Sequence, residues 1–441
     1  MVLRISNKYI VNLIAANILW SFIPIVVKGL FSEISILTII FLRFLIGGIS
    51  LFIIAILLVL INNHINDEKK ISLKELFLNL RHKNQRFYSM RTYKYYFLIG
   101  FFGIIMHIVF YFLALKTTSI PFAMIGMLLT IIFITFYDKG VNLERFDVFR
   151  VLFITMLAFS ITIIIFVSFM GAIQTGNPIE PQGFFYILMY SITGSFLYIS
   201  IERDSFSKNE LRNININRYY KIPRSLIKMA ISFTSGILIL LPIIGIVSLL
   251  PLELDITQEI HAFFSEISSI FDILQRWEII YLIIFATILP YLLLFLANVN
   301  WKSKTLTYSQ WSSIIGLIDP MSTLLFSVLL ANEYFPHEYL IIVIVFLVIT
   351  IILRYAHEVR NVVQAVIFLK IKKRYLQSLP IRILKFYGVR KIETLIGGYD
   401  LKIDVKVNSF KDYHYLINRK LKPLEEIISL EAQFVNNVEI L

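Results

Sequence analysis

The sequence predicts an all-α polytopic membrane protein of ten transmembrane helices arranged as a 5+5 inverted repeat, followed by a small cytoplasmic α+β domain. Three observations predict it. Ten apolar runs occupy residues 10–356, the loops between them alternate between basic and acidic, and beyond Arg354 the pattern changes to the period-two alternation of half-buried strands.

Only 16% of the residues are charged and 58% are hydrophobic, with a mean hydropathy of +0.76. Soluble domains carry roughly 25% charged residues. A helix crossing a bilayer needs about 20 largely apolar residues, because its backbone polar groups must be satisfied within the segment. The runs fall at 10–30, 36–61, 95–115, 119–137, 149–171, 184–201, 226–250, 279–298, 307–331 and 338–356. The fourth and sixth are short, and Ser and Tyr dilute the sixth. The first lacks a small-residue cleavage site and is long enough to remain as a helix, so no removed signal peptide is expected.

Orientation follows from Lys and Arg, which are retained in cytoplasmic loops. Residues 62–93 hold Lys69, Lys70, Lys74, Arg81, Lys83, Arg86 and Arg91, and residues 202–225 hold Arg203, Lys208, Arg212, Arg218, Lys221 and Arg224. The segment 251–278 is acidic, with Glu253, Asp255, Glu259, Glu266, Asp272 and Glu278 against Arg276, as expected outside the cell. Ten spans with this alternation put both termini in the cytoplasm and the protein in the plasma membrane. The net charge of +13 is then mostly a topology signal, and nucleic acid is not an expected partner.

The chain has no cysteine, which excludes a disulfide framework, a thiolate metal site and a cysteine nucleophile. The seven histidines form no HExxH or His-x3-His pattern, and there is no Walker or GxGxxG loop and no GxSxG elbow. No enzyme activity, cofactor or metal is expected. A membrane-embedded enzyme would need paired acid/base or metal-binding residues at a shared depth, and none stand out.

Residues 1–358 form the membrane part, with repeats at about 10–171 and 184–356. An odd number of helices per half inverts the second copy relative to the first, as in many secondary transporters. The segments NILWSFIPIVVKGL (Asn17 to Leu30) and SILTIIFLRFLIGG (Ser35 to Gly48), with Trp20, Lys28 and Arg43, resemble the opening pair of the EamA-type drug/metabolite transporter superfamily. YFLALKTTSIPFAMIGMLL (Tyr111 to Leu129) resembles its third-to-fourth helix junction, and FLANVNWKSKTLTYSQWSSIIGLIDP (Phe295 to Pro320) repeats that junction. Glu333 takes the place of the Glu that precedes the last helix in that family. The proline expected in the fourth helix is absent near Met127 to Thr130, and Glu144 is only an approximate counterpart of Glu333. The resemblance implies a carrier of small organic molecules.

Polar groups inside such helices are candidates for the pathway, since an Arg or Asp at a helix centre costs about 2.5–3.5 kcal/mol on insertion scales. Arg43, His107 and Asp319 stand out. Asp319 is placed either to pair with a substrate or proton or to hydrogen-bond a neighbouring helix, while Pro320 loosens its helix and frees a carbonyl. Arg43 reads either as a ligand contact or as a packing and snorkelling residue, and His107 as a proton relay or a satisfied packing residue. Lys28, Lys116 and Glu333 fall near predicted outer ends, as pathway groups or interfacial anchors. Trp20, Tyr111, Tyr308 and Trp311 either line a cavity for apolar or aromatic substrates or face the lipid interface.

Residues 359–441 read as a separate domain. Val363, Ala365, Ile367, Leu369 and Ile371 alternate on a first strand, a short helix opens at Ser378 and Pro380 and runs through Ile383 to Tyr387, and VRKIETLIG gives a second strand. After Gly397-Gly398, Leu401, Ile403, Val405 and Val407 share one face of a third strand. Ser409 and Asp412 form a capping box for a second helix carrying Tyr413, Leu416, Ile417, Leu421 and Leu424, and Ile428, Leu430, Ala432 and Phe434 alternate on a last strand. The order βαββαβ is the ferredoxin-like split unit. YGVRKIETLIGGYDLKIDVKV (Tyr387 to Val407) is similar to the effector-binding domain of Lrp/AsnC regulators. That resemblance implies a homodimer formed through sheets, with a small effector such as an amino acid near Gly397, Gly398, Tyr399 and Asp400. The alternative is a plain hairpin turn with Asp400 capping local amides. No helix-turn-helix precedes the domain, so DNA regulation is not expected.

Two function classes follow: a secondary transporter, expected to work outward, of small organic metabolites such as amino acids, regulated by a cytoplasmic effector-binding tail, or a membrane-anchored sensor or scaffold that does not transport. Intramembrane Arg43 and Asp319 within intact repeats favour transport.

Overall fold

A computed structural model describes residues 3–65, 70–73, 76, 98–142, 148–175, 180–202, 213–214, 217–249, 255–301, 306, 308–360, 363–384, 386, 388–407 and 410–434. Most of both basic loops, together with Glu144 and Ser409, lies outside these residues. Among the described residues, nine helices are long and apolar enough to cross a membrane: Tyr9–Leu30, Ile36–Ile65, Ile99–Thr117, Ile120–Tyr137, Val148–Gln174, Lys221–Val247, Trp277–Val299, Gln310–Leu329 and His337–Val359. A further helix of 22 residues, Pro181–Glu202, stands where the sixth run was expected. Ten spans were expected and nine are found among the described residues; with Pro181–Glu202 counted as the sixth, the helices are numbered 1 to 10 in chain order.

The packing is interleaved. The second helix lies along the seventh, and the fifth along the tenth. The sixth packs on the third and fourth, and the first on the eighth and ninth. The third and seventh helices cross at glycines: a Cβ at Gly236 would sit 2.4 Å from the Gly100 carbonyl oxygen, so only hydrogen fits there. Small residues allow such close approach where apolar lipid gives helices no hydrophobic reason to associate.

Several helices are irregular. The first breaks between Leu3–Ser21 and Ile23–Leu30, where Pro24 enters the second half. The fourth breaks at Met124, between Ile120–Ala123 and Ile125–Asn142. The ninth breaks at Gly316 and Leu317, between Tyr308–Ile315 and Ile318–Leu329, with Pro320 just inside the second half. The third and eighth each contain a π-helical stretch, Ile99–Met106 and Ile284–Ile288. Such bulges recur at functional sites because they release or re-aim backbone groups.

The acidic segment folds rather than loops out. Asp255–Glu266 is a helix whose Ile260 and Phe263 are buried, and Phe263 packs edge-on against Phe41 of the second helix with ring centroids 5.7 Å apart.

The C-terminal part forms β1 (Val363–Ile371), β2 (Val389–Thr394), β3 (Leu401–Val407) and β4 (Ile427–Phe434) in one antiparallel sheet of order β2-β3-β1-β4. Helix Ser378–Ile383 lies between β1 and β2 in the chain, and Phe410–Tyr415 with a π turn Leu416–Leu421 lies between β3 and β4. Alternate residues Ala365, Ile367, Leu369, Leu401, Ile403 and Val405 are buried against Leu379, Ile383, Leu416 and Leu421, as period-two patterning demands. The first helix ends at Ile383 rather than Tyr387, and β2 at Thr394, so Leu395 to Asp400 make a longer turn than expected.

Candidate functional site

Irregular backbone and buried polar groups meet around the second and eighth helices. Pro290 has no N–H, so the carbonyl four residues earlier, Ala286, loses its helical donor just where the π stretch ends. Two side chains from other helices take that acceptor. Trp20 Nε1 donates to it at 3.1 Å and Arg43 Nη2 at 3.0 Å. Arg43 Nε also donates to Thr287 Oγ1 at 2.8 Å, and the guanidinium lies 5.0 Å from the centroid of the Phe44 ring.

Arg43 is only 4% exposed, and every contact it makes is with a neutral group. Among the described residues no acidic side chain pairs with it, and its Nη1 has no hydrogen-bond partner. A buried cation without a counter-charge is costly by several kcal/mol and is retained where something else supplies the charge.

Tyr111 is 3% exposed, and its hydroxyl is likewise without a partner. Its helix packs against the second helix, which carries Arg43. Its ring stacks on Tyr190 at 4.7 Å, and His107 stacks on the other neighbour of that ladder, with centroids 4.5 Å from Tyr190. His107 Nδ1 is 3.3 Å from the Tyr190 carbonyl oxygen. Gly126 admits this ladder, since a Cβ there would fall 2.1 Å from the Tyr190 ring.

Asp319 begins the second half of the ninth helix and is 7% exposed. Its Oδ1 accepts from Thr323 Oγ1 at 3.3 Å, and the same hydroxyl reaches the Ser21 carbonyl at the break in the first helix, 3.4 Å away. Asp319 and Arg43 form no ion pair. The centre therefore holds a buried cation and a buried carboxylate that do not pair with each other, and a buried phenol whose hydroxyl is unsatisfied.

Of the residues expected from sequence, Trp20, Arg43, His107, Tyr111, Asp319 and Pro320 gather in this central region. Trp311 does not: it lies at the far end of the ninth helix, 6.5 Å from Trp301 and 5.7 Å from Tyr355 by ring centroids. Glu333 marks the opposite end, where Lys28 Nζ bonds it at 2.5 Å and the Thr118 carbonyl at 3.2 Å. Lys116 pairs with Glu259, whose other oxygen accepts from the Ile36 amide at 2.6 Å. Glu266 accepts from the Ser35 amide at 2.9 Å. These carboxylates cap the exposed N–H groups that start the second helix, so the Asp255–Glu266 helix is tied over this end of the bundle.

Sequence reading missed Thr287, Tyr190 and Tyr291. Pro290, in the middle of an apolar run, was the available signal, since a mid-helix proline always releases a carbonyl.

In the C-terminal domain the Gly397-Gly398 turn is exposed. Asp400 Oδ2 accepts from the Ile371 amide at 2.8 Å, and the Asp400 amide donates to the Leu369 carbonyl at 2.9 Å, so its carboxylate closes the end of β1. Tyr399 packs on Phe368 at 5.6 Å and donates to Glu431. That bond holds the Glu431 carboxyl below the usual range and pushes the Tyr399 phenol up.

Residues 7–166 match the EamA-like transporter family. Together with the helices, this makes the chain a multi-pass membrane protein, similar over its first half-bundle to membrane transporters of small molecules. The EamA-like match ends before the C-terminal sheet domain. A solved structure described as "Crystal structure of protein" shares 14% identity at a TM-score of 0.45, over 80% of this chain and 98% of that one, too distant to assign a fold. No curated protein matches the chain.

Proposed function

We propose that the chain is a secondary transporter of small organic metabolites, working as an exporter, with amino acids and related compounds as the first substrates to test. The observation that carries this reading is the packing pattern. Exchange each of helices 1–5 with the helix five positions later, and the neighbours persist: 2 on 7 and 5 on 10 map onto themselves, while 1 on 8 and 9 becomes 6 on 3 and 4. The π stretches fall in helices 3 and 8, and breaks in helices 4 and 9, which the same exchange relates. This is what a 5+5 inverted repeat produces, and such repeats place the substrate between them at discontinuous helices.

The bundle is tied shut at the end bearing Lys28–Glu333 and Lys116–Glu259. With both termini cytoplasmic, that is the outer end, and the conformation is one closed to the outside. Export requires these pairs to part and the opposite end to close, two states that the substrate must bind unequally if it is to drive exchange.

The tail is read as a ferredoxin-like cytoplasmic domain that binds an effector and dimerises through its sheet. Its element order and strand order support the fold, and the Tyr387–Val407 resemblance supports the role. Reconstitution into vesicles tests the whole reading: preloaded labelled amino acids should leave faster than from loaded vesicles without protein, and faster still with unlabelled substrate on the far side. No flux for any metabolite in a broad panel would leave the anchored sensor as the function.

A further inference from the structure

We infer that Arg43 and Tyr111 form an oxyanion site that takes the carboxylate of an organic substrate with an aromatic or apolar body. This rests on the transport reading for its purpose but on the geometry for its chemistry. Arg43 Nη1 and the Tyr111 hydroxyl are buried donors that nothing in the protein satisfies. Buried polar groups are almost always bonded, so two orphans on the second and third helices, which pack against each other, point to a missing acceptor.

The acceptor is anionic, because the rest of Arg43 is already bound by the neutral oxygens of Ala286 and Thr287. The one buried carboxylate nearby, Asp319, is occupied by Thr323 rather than Arg43. A carboxylate has two oxygens, one for the guanidinium N–H and one for the phenol O–H, and charge-assisted bonds of this kind are the strong ones. The surroundings are rings: Trp20 packs against Tyr291 at 5.7 Å, and Tyr190 stacks under Tyr111. These suit a planar or apolar body. Loading also neutralises the buried cation, which lowers the electrostatic cost of rearranging the core around it.

The test uses the full-length protein in nanodiscs with phenylacetate and its neutral isostere phenylacetamide, titrated calorimetrically. Phenylacetate should bind and the amide should bind at least about tenfold more weakly, the size of one lost charge-assisted hydrogen bond. Arg43→Gln should abolish the preference for the acid. Tyr111→Phe, which removes only an unbonded hydroxyl and so leaves the fold intact, should weaken the acid by about three- to tenfold and the amide, whose neutral carbonyl meets the same phenol, by less. Equal binding of acid and amide, or an undiminished preference in Tyr111→Phe and Arg43→Gln, overturns the site. Acid-selective binding without any vesicle flux would keep the site and sink the transport reading, whereas flux without acid selectivity would do the reverse.

Discussion

Trp20 and Arg43, on different helices, donate to one oxygen, the carbonyl of Ala286, at 3.1 and 3.0 Å. The acceptor is free for both because Pro290 brings no amide to it. The first, second and eighth helices are therefore joined at a point that a missing hydrogen bond creates.

Pro290→Ala restores an N–H at that position, and the amide competes with both side chains for the Ala286 oxygen. Vesicle flux should fall severalfold while membrane insertion and monodispersity are kept. Flux at the wild-type rate would mean that the released carbonyl has no part in the cycle.

On the transport reading proposed above, breaking the Lys28–Glu333 tie should open that end of the bundle. The Lys28–Glu333 pair is partly exposed, with side chains 35% and 15% accessible, so its loss is worth about 0.2–1 kcal/mol, or a population shift of up to roughly fivefold. The chain has no native cysteine, so a single Ser327→Cys reporter has a clean background. An impermeant thiol reagent should modify it faster in Glu333→Gln, and the Lys28→Glu/Glu333→Lys double reversal should bring the rate back. Identical rates in all three backgrounds would remove the pair from the gate.

Gly236→Ala forces a methyl group to 2.4 Å from the Gly100 carbonyl. Overpacking of this kind costs about 1–3 kcal/mol, and thermal unfolding in detergent should begin several degrees lower. Gly245→Ala, where a Cβ meets nothing within 4 Å, is the control and should unfold with the wild type.

In the tail, Asp400→Ala deprives the Ile371 amide of its acceptor. Losing the partner of a part-buried donor costs about 1–3 kcal/mol, so hydrogen exchange across the end of β1 should quicken severalfold in the intact protein. Unaltered exchange together with a lost effector response would instead place Asp400 on the ligand.

Much of the architecture was legible beforehand. The apolar runs located the helices to within a few residues, because burial in lipid leaves little freedom of composition, and the alternation of Val363 to Ile371 and Leu401 to Val407 was the burial pattern observed. Asp255–Glu266 was overlooked although Ile256, Ile260 and Phe263 repeat at helical spacing, since its charges read only as an exterior loop. The site was legible in its charged members and not in its acceptors: Arg43 and Asp319 announce themselves by cost, whereas a backbone oxygen such as that of Ala286 has no letter in the sequence.

The amino-acid sequence by itself determined the lipid-embedded helices, their order and the strand faces of the tail, since each depends on local hydrophobicity and periodicity. Only the tertiary structure decided that Arg43 meets Trp20 at a shared oxygen and leaves one donor unused, that Asp319 turns to Thr323 instead of Arg43, and that Lys28 finds Glu333 across 305 residues of chain. Those pairings depend on how irregular helices cross, and crossing is set by long-range packing that no local pattern encodes.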